Sequence, residues 1–101
     1  MMMTSKNLSI YRVRLSGENF TNVFDGREQR CGFVKNEYVW ALNAESAAHK
    51  AEEKIREKVM QHPSLHVLDG EQPRFEVDVV ESGASALKLL RDEGFVFYVD
   101  E

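Results

Sequence analysis

Residues 43–61 read NAESAAHKAEEKIREKVMQ, and the fold follows from how this stretch is read. Ala44, Ala48, Ala51, Ile55 and Val59 recur at spacings of three and four, which aligns them on one face of a helix. Asn43 is placed to cap it, because its side-chain oxygen can accept from an unpaired amide of the first turn. Glu45 near the start and Lys58 near the end suit the helix dipole. On the opposite face Glu52 precedes Arg56 by four residues and Lys50 precedes Glu53 by three. Such pairs add about 0.2–0.5 kcal/mol each and keep the face soluble. Pro63 disfavours helical geometry at His62, so the helix ends there. The stripe is mostly alanine, which lets a helix lie close on a sheet, whereas a coiled-coil seam needs larger residues.

Upstream of this helix the chain reads as strands. Tyr38–Leu42 runs straight into it, and Lys35-Asn36-Glu37 interrupts the apolar character as a bulge or a second turn. Before that, Asp25-Gly26 is a dipeptide that tolerates the positive φ angles of a tight hairpin, joining Phe20–Phe24 to a return strand through Cys31–Val34. Ser16-Gly17-Glu18-Asn19 reads as a turn. Leu8–Leu15 alternates, with Tyr11, Val13 and Leu15 on one side and Arg12 and Arg14 on the other. Residues 1–6 read as a loose leader.

Downstream, His62–Gln72 is a loop with a small apolar knot of Leu65, Val67 and Leu68. Arg74–Glu81 alternates again, Phe75, Val77 and Val79 inward and Glu76 and Asp78 outward. Ser82–Ser85 can cap a short second helix over Ala86–Glu93 with Gly94 as terminator, and Phe95–Val99 is a final strand. The expectation is one α+β domain over residues 1–101. An antiparallel sheet, strand meander first, is packed on one face by a long helix, with a short second helix before the last strand and the other face partly open.

The 101 residues suffice for one domain, with 43% hydrophobic and 30% charged side chains. A net charge of −4 argues against nucleic-acid binding as the main role. The single cysteine, Cys31, excludes an internal disulfide and fits a reducing compartment. No stretch has the apolar length of a signal peptide or a membrane span, so a cytoplasmic protein with no membrane contact is expected.

No constellation assembles a nucleophile, a base or a metal centre, and neither enzymatic activity nor a cofactor is expected. His62 and His66 have a ligand-like spacing, but Pro63 separates them and no third ligand stands beside them; His49 falls on the polar side of the helix. Cys31 beside Arg30 reads as a passive thiol. Arg12, Arg14, Arg27 and Arg30, with Lys35 nearby, can gather on one side of the meander with Tyr38 and Trp40 between them. Such a face would suit single-stranded nucleic acid, and Glu18, Glu28 and Glu37 lie in the same region to balance it. Tyr38 and Trp40 share one strand parity and Val39 and Ala41 the other. Either the aromatics are core, or the helix covers Val39 and Ala41 and the aromatics are displayed for protein contact. Glu76, Asp78, Glu81, Asp100 and Glu101 could meet a basic partner or keep a sheet edge from pairing.

Three pieces together resemble a family of small bacterial proteins without an assigned activity. They are the Arg12–Phe20 strand and turn, the run from Asp25-Gly26 through Gly32-Phe33 into the alanine- and glutamate-rich helix, and the closing Gly94-Phe95-Val96-Phe97-Tyr98. This resemblance implies an architecture and no site. The order of meander, capped helix and further strand is also similar to HicB-type antitoxin domains, which implies an antitoxin-like or inhibitor-like partner of another protein. The expected function is therefore a non-enzymatic protein-binding or regulatory module, self-association through a sheet face or edge included. A nucleic-acid contact through the arginine and aromatic face is the alternative.

Overall fold

The structure is a computed structural model that describes residues 8–90 and 92–100; the leader expected over residues 1–6, and Glu101, lie outside the described residues. It is an antiparallel five-stranded sheet with one helix packed on it, the α+β architecture expected. The elements are β1 (Ser9–Phe24), β2 (Arg27–Ala41), α1 (Ala44–Gln61), β3 (His66–Val67), β4 (Arg74–Ser82) and β5 (Phe95–Val99).

β1 and β2 form one long hairpin where several short strands were expected. Asp25 and Gly26 take φ angles of 52° and 77°, both positive as a two-residue primed turn requires. The polar run Ser16–Asn19 is absorbed as a bulge rather than a turn. The register with β2 slips between Gly17 and Phe20, and Asn19 adopts φ 72°, a conformation asparagine tolerates better than most residues. Gly17 faces Phe33 across the hairpin, and a Cβ there would stand 2.4 Å from the Phe33 ring.

Lys35-Asn36-Glu37 does not interrupt β2 either. The strand runs through, and alternation carries Lys35 and Glu37 beneath α1, where both are buried. Charge at those positions is offset by partners from distant parts of the chain, so the strand need not turn.

On its other side β1 pairs with β4 along Tyr11–Glu18 and with β3 at Phe20–Thr21. In β4 the alternation expected from Phe75 to Val79 breaks, because the register with β1 slips between Arg14 and Leu15. Val79 therefore lies opposite Arg14, and Val80, not Val79, packs into the core. β5 pairs with β2 at Cys31–Lys35 only.

α1 keeps its expected start, Asn43 accepting from the Ser46 amide at 2.8 Å, and its expected end at His62. Its buried stripe is Ala47, Ala51, Ile55 and Val59; Ala44 is exposed and Ala48 only half-buried. Alanines at 44, 47 and 48 look alike to a hydrophobic pattern, and the angle of entry after Ala41 decides which of them meets the sheet. Under the helix lie Leu15, Phe20, Cys31, Phe33 and Leu65 at one end and Val13, Val39 and Ala41 at the other.

The connection from β4 to β5 crosses the sheet face opposite α1. It contains a single 3₁₀ turn, Ala86–Leu90, opened by a bond from the Leu87 amide to Ser85 Oγ; the expected helix does not continue to Glu93. Among the described residues no helix is long and apolar enough to cross a membrane.

Candidate interaction edge

Two polar clusters hold the middle of β2, one on each face. On the helix side Glu37 accepts from Lys58 Nζ at 2.9 and 3.0 Å, and Lys35 Nζ donates to Asp92 at 2.6 Å. Lys35 also lies 3.4 Å from Glu37, and Lys54 lies 3.6 Å from it. The Lys35 hydrogen bond, the Gly94 amide and the nearby Lys58 hold the Asp92 carboxyl down at about 2. Lys58 is raised: burial opposes its charge, and the bonds to Glu37 and Asp92 outweigh that.

On the opposite face Arg12 donates to Glu81 at 2.7 and 3.1 Å and to Asn36 at 3.2 Å. Asn36 and Tyr38 in turn donate to Glu93, the Tyr38 hydroxyl at 2.8 Å. Burial first, and the Glu93 carboxylate second, push the Tyr38 hydroxyl up, while those same donors lower Glu93. Asp92 and Glu93, consecutive in sequence, thus grip β2 from its two sides.

Beyond this clasp the edge of β2 opens. β5 stops at Lys35, so from Asn36 to Ala41 β2 has β1 on one side and, among the described residues, no strand on the other. The Arg30 carbonyl accepts from the Asp100 amide on the β5 side. In an antiparallel ladder the two main-chain groups of a residue point the same way and alternate along the strand, so Tyr38 and Trp40 also present theirs outward. The Trp40 carbonyl is taken by Lys50 Nζ at 2.7 Å. A groove of about 540 Å³ runs along this edge, walled by Tyr38, Trp40 and Leu89 and by the helix side chains Lys50, Glu53, Lys54 and Glu57. Trp40 is 45% exposed, with Val39 and Ala41 buried under α1. Tyr38 shares the face of Trp40 yet is buried, because the β4–β5 connection lies over it; Lys88 Nζ sits 5.8 Å from its ring centre.

The six residues expected to form one arginine and aromatic face do not come together. Arg12, Arg14 and Arg30 share the face opposite α1, but the partner of Arg27 is Phe24, and alternation puts that pair on the helix side. Arg12 stands level with Tyr38, and Arg30 lies eight residues further along β2, about 26 Å away. Arg12 is committed to Glu81, and Arg30 lies between Asp100 at 3.3 Å and Glu71 at 3.7 Å. Of the acidic residues, Glu81 and Asp100 are therefore engaged within the fold.

His62 packs edge-on against Phe95 and Phe97, while His49 and His66 lie elsewhere on the surface. Among the described residues no group of three or more His, Cys, Asp or Glu side chains could hold a metal ion. Cys31 is fully buried, and burial pushes its thiol up. A sheet face or edge was expected to associate, but that the open edge is that of β2 was not; its signal is the mismatch between a long strand entering the helix and the five residues left for the last one. Comparison with protein-family models, with curated proteins and with solved structures finds no match for this chain.

Proposed function

We propose that the protein is a non-enzymatic binding module that takes an extended segment of another polypeptide along the free edge of β2, beside Trp40. The observation that carries this reading is the edge itself: outward main-chain groups at Tyr38 and Trp40, next to a groove and an exposed indole. An added strand gains affinity from main-chain hydrogen bonds and specificity from side-chain pockets beside them, and both parts are present here. Indole burial adds a large share of binding energy per residue, as interface tryptophans commonly do. The arginines no longer favour nucleic acid, since Arg27 lies on the helix side and Arg12 and Arg30 are each paired with carboxylates.

The test is affinity capture from nuclease-treated lysate, followed by amide hydrogen exchange on the complex. Newly slow exchange at Tyr38 and Trp40 is expected, and Trp40→Pro, which deletes an outward amide and leaves the β1 ladder untouched, abolishes capture. A partner that slows other amides and leaves these two fast refutes the reading.

A further inference from the structure

We propose that the segment taken up by the β2 edge is the β2 edge of a second copy, giving a two-fold dimer with a continuous sheet; this rests on the edge reading above. Two features share one symmetry. The first is the helix face beside the groove, which carries Lys50, Glu53, Lys54 and Glu57 in that order. Read backwards, the series inverts its signs. Two copies of α1 laid antiparallel therefore place Lys50 against the partner's Glu57 and Glu53 against the partner's Lys54, then the same pairs again, so that every contact is attractive.

The second is the placement of that series relative to the strand. Lys50 bonds to Trp40 at one level and Lys58 to Glu37 at the other, so α1 runs back alongside β2. The midpoint of the charge series, between Glu53 and Lys54, then lies level with Tyr38 and Val39. That is also the midpoint of the open edge, Asn36–Ala41. Antiparallel pairing of two such edges about Val39 sets Tyr38 opposite the partner's Trp40, with outward main-chain groups meeting outward groups. One two-fold axis satisfies strand and helix together. Joined strands lie about 4.8 Å apart and helices are about 10 Å wide, and α1 packs over β1 and β4 as well as β2, so its axis is set back from the joined edge and the two helices have room to lie side by side. Lys50, which closes the Trp40 carbonyl in the single chain, turns to the partner's Glu57 when that carbonyl gains a strand amide.

The experiment is sedimentation velocity on the full chain from about 1 to about 100 µM, with exchange measured at Tyr38 and Trp40. A mass of about 23 kDa, twice the 11.6 kDa of one chain, is expected at the upper end. The double variant Glu53→Lys/Glu57→Lys, at exposed positions, makes the helix face uniformly cationic and weakens the dimer about tenfold or more at low salt. Dimer returns in about 1 M salt, where screening acts within about 3 Å. Trp40→Pro is monomeric at every salt concentration, with circular dichroism confirming that both variants fold. A dimer indifferent to both variants overturns the proposal. A wild-type monomer with fast exchange at Tyr38 and Trp40 overturns the second copy as occupant and leaves the edge reading standing. A monomer with slow exchange at both overturns the two together.

Discussion

Replacing Glu37 with leucine should cost about 3 kcal/mol of folding stability, and replacing Lys35 with methionine in the same chain should return most of it. Glu37 is 6% exposed and faces three ammonium groups, with Lys58 at 2.9 Å, Lys35 at 3.4 Å and Lys54 at 3.6 Å. Without its carboxylate, Lys58 and Lys54 can turn to water, but Lys35, 1% exposed, cannot. Asp92 still reaches Lys35 at 2.6 Å, which puts the cost at the lower end of the range of about 3–5 kcal/mol for breaking a buried pair. Against a total of roughly 5–10 kcal/mol for a domain this size, that loss lowers the melting temperature by on the order of 10–20 °C. The double variant Lys35→Met/Glu37→Leu leaves no buried charge on this face of β2, so it should lie within about 1 kcal/mol of wild type. Urea denaturation followed by circular dichroism measures Glu37→Leu, Lys35→Met alone and the double variant, with an unchanged urea dependence confirming a common unfolded state. If Glu37→Leu costs under about 1 kcal/mol, or the double variant equals the sum of the singles within about 0.5 kcal/mol, the cluster is not coupled and the argument fails.

Gly17→Ala should destabilise by about 1–3 kcal/mol in the same assay, since the new methyl would meet the Phe33 ring at 2.4 Å in a filled core. Asp92 has its carboxyl depressed to about 2 from 3.8, so its contribution is complete above pH 4 and is lost as the pH falls through 2. With the side chain 58% exposed, screening limits this to about 1 kcal/mol, and Asp92→Asn should remove that part of the acid dependence in pH-resolved denaturation. Cys31, fully buried with its thiol raised, should resist an aromatic disulfide reagent in the native state and react at once in denaturant; rapid native labelling would contradict its burial.

What the sequence made legible was local chemistry. The Asn43 cap, the stop before Pro63 and the Asp25-Gly26 turn each depend on neighbours a few residues away, and each lies where the pattern placed it. Longer-range matters were not legible. Lys35 and Glu37 looked like an interruption because the groups that satisfy them, Lys58 and Asp92, come 21 and 57 residues later. Ser16–Asn19 has the composition of a turn, and only a full-length partner strand shows that a bulge suffices. The switch from Val79 to Val80 likewise follows from a register slip that alternation alone cannot reveal. Grouping the arginines failed for a geometric reason: an unbroken hairpin spreads Arg12 and Arg30 along its length, whereas a folded meander would have gathered them.

The clasp at Lys35 has a consequence for biosynthesis. Asp92 is translated 57 residues after Lys35, which at 5–20 residues per second is an interval of about 3–11 s. Through that interval the hairpin and helix can form while the β2 edge that β5 will occupy stays bare. Until then Lys35 has only Glu37 to offset it, shared with Lys54 and Lys58, and an ammonium on such an edge discourages stray chains from adding to it. When Asp92 and β5 arrive, the same ammonium fastens them. Truncated chains ending before Asp92 should therefore aggregate faster with methionine at position 35 than with lysine, as light scattering would record, even where the complete Lys35→Met/Glu37→Leu protein is as stable as wild type. In this protein a charge that contributes little to the finished fold can be retained for what it prevents on the ribosome.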